Sequence, residues 1–138
     1  MNNGAKLDSW NAVKKGIDEQ ENRKKVEAQR IYWVSIGQNV GSEVFGKDRY
    51  FTRPVLVLNK MPNGSFLGVP LTSKLENKTG FMFFKFTDSG GTMRVALLGQ
   101  IRMFDAKRVS NLQGKVNAKV FGEIKQAIVK NIIKCPCN

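Results

Sequence analysis

Apolar positions along this chain fall into three patterns, and the patterns divide it. Near the start, Trp10, Val13 and Ile17 recur at i, i+3 and i+7, a narrow stripe that predicts a helix. Asp8 is placed to cap that helix at Ser9 or Trp10. Gly16 weakens it, and residues 1–6 read as disordered. Residues 18–30 are mostly charged, so the helix is expected to continue as a solvated arm. Trp10 would pack this arm onto the body or onto a partner.

From Ile31 short runs rich in β-branched and aromatic residues take over. They predict strands over 31–37, 53–60, 65–74, 80–86 and 92–98, the last continuing to Met103. A long loop, 38–52, separates the first two, and loops of that length are often functional. Pro62, Asn63 and Gly64 form a hairpin turn, and 88–91 a second turn. Residues 105–108 read as a short turn of helix and 109–116 as a last short strand. The third pattern closes the chain. Val120, Ile124, Ile128 and Ile132 lie at i+4 spacing, widened by Phe121 and Ala127. Asn117 caps this helix, which is expected to reach about Lys134.

Helical segments do not alternate with strands, which argues against a parallel sheet. The expected fold class is mainly β: a small antiparallel barrel closed by a C-terminal helix, with a helical N-terminal extension. The division is 1–30 as the extension, 31–134 as the barrel domain and 135–138 as a disordered tail. Cys135 and Cys137 fall in that tail as C-P-C. They read as frayed, not as a zinc site or a disulfide framework.

Charge changes the picture from fold to partner. The 138 residues carry 23 basic and 11 acidic groups, a net +12. Residues 1–30 hold 7 basic and 5 acidic groups, and residues 31–138 hold 16 and 6. The body is therefore basic, and nucleic acid is the first candidate partner. A membrane surface would call for a basic amphipathic helix with a large apolar face, and none is evident. No run approaches the ~20 apolar residues of a membrane span, and the start is polar and charged. A cytoplasmic location is expected.

Composition also removes chemistries. With no histidine there is no Ser-His-Asp triad, Cys-His pair or histidine-held metal. Neither G-x-x-x-x-G-K-[ST] nor G-x-G-x-x-G occurs. Six scattered acidic residues in the body argue against a metal site for phosphoryl chemistry. No metal or cofactor is expected. What remains is metal-free chemistry on a substrate with its own nucleophile, as RNA has in its 2′-OH.

Three places could carry that chemistry. Arg53 opens R-P-V-L-V-L at 53–58, ahead of four aliphatic residues. Its guanidinium either holds an anion, for which its planar fork suits phosphate, or pairs with Glu43 or Asp48. In G-V-P-L-T-S-K at 68–74, Leu67, Val69 and Leu71 share the face that reads as core. Phe66, Gly68, Pro70 and Thr72 share the other. Pro70 places this strand at an edge or bulge, and Thr72 is a hydroxyl near its end or a routine strand threonine. Gln100 and Arg102 share parity. They are either ordinary exposed polarity or a base reader beside a phosphate holder. Phe81, Phe83 and Phe84 read as core.

In order, I-Y-W-V-S-I-G at 31–37, G-S-E at 41–43, R-P-V-L-V-L, G-V-P-L-T-S-K, A-L-L-G-Q-I-R at 96–102 and the closing helix resemble the MazF/PemK toxins of type II toxin–antitoxin systems. The resemblance spans about 31–133. It implies an SH3-like barrel of CcdB/PemK type, a homodimer, and a metal-independent, sequence-selective endoribonuclease. Such an enzyme leaves a 2′,3′-cyclic phosphate and a 5′-OH. Arg53 and Thr72 match the catalytic pair. Ser42 and Glu43 match an RNA-groove loop and Gln100 a base-contacting position, with Ser73, Lys74 and Arg102 completing the RNA-binding set.

An acidic, MazE-like antitoxin is the implied partner beside the RNA substrate, with DNA binding by the toxin–antitoxin complex. The alternatives are a CcdB-like DNA gyrase inhibitor and an inactive RNA-binding module. The chain departs from the pattern in a longer loop between Glu43 and Arg53, in Gly99 before the glutamine, and in the arm 1–30. That arm docks in cis, extends a dimer or occupies the groove.

Overall fold

The structure is a computed structural model of the 138-residue chain. It describes residues 3–19, 23–37, 39, 43–44, 46–47 and 51–135. Helix α1 (Asn3–Asp18) precedes strands β1 (Arg30–Ser35), β2 (Thr52–Lys60), β3 (Ser65–Thr72), β4 (Phe83–Thr87) and β5 (Met93–Leu97). A 3-10 turn (Leu98–Gln100), β6 (Arg102–Asp105), a second 3-10 turn (Ala106–Arg108) and β7 (Val109–Lys115) follow. Helix α2 (Ala118–Ala127) closes the chain and runs on as a π-helical turn (Ile128–Ile133). The strand pairs are antiparallel in the order β4-β5-β3-β2-β1-β7, with β6 also on β3. The ends of this path, β4 and β7, do not pair, so the barrel-like sheet is an open wrap.

The sheet is buried on both faces, which explains why β2 and β3 read as apolar runs and not as alternation. On one face Ile31, Leu56, Leu58, Val69, Leu71 and Leu98 pack under Ile124 and Ile128 of the closing helix. On the other, Val34, Val55, Val57, Phe66, Phe104 and Val109 form a second core, into which Val26 also inserts. The face of β3 expected to be non-core is therefore core as well. Asn117 caps α2 as expected, its Oδ1 accepting from the Val120 N–H at 2.8 Å, an interaction worth about 1 kcal/mol.

Several sequence expectations shift, each for a tertiary reason. The strand expected to run through to Met103 breaks after Leu97, where the 3-10 turn swings Leu98 fully into the helix-side core. The break lets two strands share one edge of β3. Phe66 and Gly68 pair with Phe104 and Arg102 of β6, while Leu71 and Thr72 pair with Ala96 and Val95 of β5. Pro70 lies at the seam between those two partners, not on an outer edge, so the sheet tolerates its missing N–H. Helix α1 starts at Asn3, five residues before Asp8, and ends at Asp18. Beyond it, among the described residues, Arg23 makes a two-point ion pair with Asp105 (2.9 Å) and Val26 inserts into the second core. Phe81 lies outside β4 and is exposed, as is Met82; Phe84 and Phe86 do pack on the helix-side core. Cys135 is disulfide-bonded.

Candidate active site and nucleic-acid interface

Arg53 comes second in β2, paired with Val34 of β1. The β2–β3 register sets Val55 against Pro70, and Arg53 and Thr72 each lie two residues beyond that pair. Both are buried, with 8% and 7% of their surface exposed. The Arg53 Nη1 donates to the Leu71 carbonyl at 3.2 Å, so the guanidinium is anchored to the strand that carries Thr72. Thr72 Oγ1 accepts from the Lys74 N–H at 3.2 Å. Its own O–H remains a donor. Burial lowers the Arg53 pKa, yet a guanidinium stays charged at any working pH. A fixed, partly desolvated cation stands beside a hydroxyl donor.

The sequence reading passed over a third group, Lys47. It pairs with Thr52 through two backbone hydrogen bonds (2.8 and 2.9 Å), directly before Arg53. Partial desolvation, then the like charges of Lys74 and Arg53, lower the Lys47 pKa. An anion seated among these cations would relieve their mutual repulsion. No sequence signal marked Lys47, because its position depends on the loop folding back on Thr52.

A second group lies along the same side. Glu43, Gln100 and Arg102 line a small cleft of about 30 Å³ with Asn39, Val44 and Phe104. The Val44 N–H donates to Gln100 Oε1 at 3.2 Å, so Gln100 tethers the β1–β2 loop as well as facing the cleft. Asn39 Nδ2 holds the loop from within, donating to the carbonyls of Ile36 (3.2 Å) and Val44 (2.7 Å). The Arg102 guanidinium lies 4.7 Å over the Phe104 ring. Arg108, also missed from sequence, donates from Nη1 to the Ser35 carbonyl at 3.1 Å. Burial and the charge of Arg102 lower its pKa. Ser73 and Lys74 are exposed just past the end of β3. Ser42 lies outside the described residues.

The structure thus brings Arg53, Thr72 and Lys74 together, and Glu43, Gln100 and Arg102 together. Register places both sets along one edge of the second core, since Arg102 faces Gly68 two pairs from Pro70. A wider depression of about 570 Å³ lies at Glu27–Arg30 and Lys115, the opposite end of β1, and gathers no comparable chemistry. Among the described residues there is no cluster of carboxylates or thiols able to hold a metal. No helix among them is long and apolar enough to cross a membrane.

Fold and site together define a small basic wrap of antiparallel strands with an arginine–threonine pair at one edge. Solved structures share this fold. MazF from Deinococcus radiodurans aligns with a TM-score of 0.62 at 21% identity, over 78% of this chain and 96% of that one. An endoribonuclease from a mycobacterial species, solved with its cognate antitoxin, aligns at 0.60 and 13% identity, over 83% and 100%. The MazE–MazF complex of Deinococcus radiodurans aligns at 0.56 and 18% identity, over 78% and 94%. No curated protein sequence matches the chain. The profile of the PemK-like, MazF-like toxins of type II toxin–antitoxin systems matches residues 27–132. The chain belongs to that family.

Proposed function

We propose that this toxin is a metal-independent endoribonuclease acting on single-stranded RNA. One observation carries the reading: buried Arg53 is anchored to the Leu71 carbonyl, opposite Thr72, with Lys47 and Lys74 close by. A scissile phosphate seated there receives the charged fork of Arg53 and the O–H of Thr72 on its non-bridging oxygens. Both donors strengthen as charge builds on those oxygens in the transition state. The substrate's 2′-oxygen bonds to phosphorus as the bond to the 5′-oxygen breaks. The 2′-proton leaves and a proton reaches the 5′-oxygen. The products are a 2′,3′-cyclic phosphate and a 5′-OH end.

Arg53 stays protonated and so cannot be the base. Glu43, carried into the Gln100 cleft by the loop, is the candidate to take the 2′-proton. Gln100 and Arg102 would hold the neighbouring nucleotide, Arg102 by charge and Gln100 by its amide. The cationic edge also suits a second polyanion, the acidic antitoxin segment, which would compete with RNA for it. A homodimer is the expected assembly.

Purified protein incubated with mixed-sequence RNA in EDTA tests the reading. Discrete fragments whose 5′ ends accept phosphate from polynucleotide kinase without prior dephosphorylation support it. Intact RNA overturns it, and trapped gyrase in the same preparation would point to a gyrase inhibitor.

A further inference from the structure

We infer that helix α1 is a built-in brace for the β1–β2 loop, with Trp10 as its positioning residue. The inference rests on the ribonuclease reading for its consequence, but not for its geometry. Most of α1 lies in solvent; Trp10 is its one buried side chain, 6% exposed. The indole sits against Gly37, where a Cβ would fall 2.2 Å from Trp10 Cε2 and where φ is +94°. Its ring centroid is 5.6 Å from that of Phe51. The Arg108 guanidinium lies 5.6 Å from the indole. Lys107 Nζ donates to the Asp18 carbonyl at 3.3 Å and fixes the end of the helix.

Gly37 and Phe51 are the two sides of the loop's neck. The Phe51 carbonyl accepts from the N–H groups of Ile36 (3.0 Å) and Gly37 (3.2 Å). Gly46 donates to the Gly37 carbonyl at 2.6 Å, and Lys47 and Thr52 exchange two bonds. Gly46 is pressed so close to Phe51 that a Cβ there would overlap the Phe51 carbonyl oxygen. Phe51 itself adopts φ +56°, a conformation a bulky side chain holds only when its surroundings impose it. The imposing contact is the buried indole. Arg53 follows two residues later, Lys47 is part of the neck, and the loop's far end is tethered to Gln100 through Val44. Trp10 therefore holds one end of the segment whose other end lines the cleft, and that cleft has no α1 residue in its lining. Such a brace supports the site and does not cover it.

The test uses the full chain. In Trp10→Ala, hydrogen exchange at the amides of Gly46, Lys47 and Thr52 should rise tenfold or more, while the β3 amides stay as protected as in the parent. Gly37→Ala, which forces a methyl against the indole from the other side, should reproduce that pattern. Under saturating RNA, Trp10→Ala should lower kcat by about tenfold or more with a smaller change in KM, as misplaced catalytic groups do. Trp10→Phe should recover most of both signals. Unchanged neck exchange in Trp10→Ala and Gly37→Ala would overturn the inference. So would faster cleavage by Trp10→Ala, which would make the helix an inhibitor. Should the parent protein cleave no RNA, the ribonuclease reading fails, and neck exchange alone still decides the brace.

Discussion

Two arginines of this protein are similarly buried but stand in different electrostatic surroundings. Arg94 of β5 donates from Nε to Asp88 at 2.7 Å, with both side chains about 5% exposed. Asp88 also accepts from the N–H groups of Gly90 (2.9 Å) and Thr92 (3.0 Å), tying off the β4–β5 turn. Here the charges neutralise each other and the polar atoms are satisfied. Arg53 donates to the Leu71 carbonyl, and the cations Lys47 and Lys74 lie near it. The first arrangement pairs opposite charges in the core, whereas the second gathers three cations at the edge of β2 and β3. Burial of a charge does not by itself distinguish structure from function.

Substituting the two arginines breaks the comparison most directly. Arg53→Ala should lower RNA cleavage by at least ~10²-fold with a smaller loss of stability than Arg94→Ala. Arg94→Ala leaves Asp88 buried without its counter-charge, which costs about 3–5 kcal/mol, read as a fall in the denaturant midpoint. Equal stability losses in the two variants would remove the distinction drawn here. Thr72→Val keeps the shape and deletes the hydroxyl. Cleavage should fall about tenfold or more, with RNA affinity largely retained by the surrounding cations, as gel-shift titration would reveal.

Acid sharpens the comparison from the other side. Burial opposes the Asp88 charge, but the Arg94 guanidinium and the two backbone N–H groups outweigh it and hold the carboxyl below its usual range. The Asp105 carboxyl is likewise lowered, chiefly by Arg23. A lowered folded-state pKa gives stability that is fully present above the unfolded value near ~3.9. That stability is lost as pH falls through the folded value. Asp88→Asn should therefore flatten the acid limb of a stability–pH curve. The smallest expected effect is at Lys47. Lys47→Met should weaken RNA binding modestly and reduce the slope of log affinity against log salt by about 0.7, one phosphate contact on a single strand. An unaltered slope would remove Lys47 from the interface.

Sequence reasoning reached the order of the strands, the Asn117-capped closing helix and the helical turn before β7. These are local: a run, a cap or a motif is written in neighbouring residues. It misjudged Pro70, the break after Leu97 and the second face of β3, because each depends on which strand arrives from elsewhere. Pro70 is acceptable only because β5 and β6 meet beside it, and nothing within 65–74 announces that meeting. Lys47 and Arg108 were passed over for the same reason. A lysine in a charged loop joins the site only when Thr52 takes up its backbone.

The chain's own sequence determined its elements, its basic body and the residue types available for catalysis. Periodicity, caps and composition act over a few residues. The tertiary structure alone decided which cations converge, how Arg94 meets Asp88 and where Trp10 goes. Those outcomes are set by contacts between positions as distant as Trp10, Phe51 and Arg108, and no local spacing encodes them.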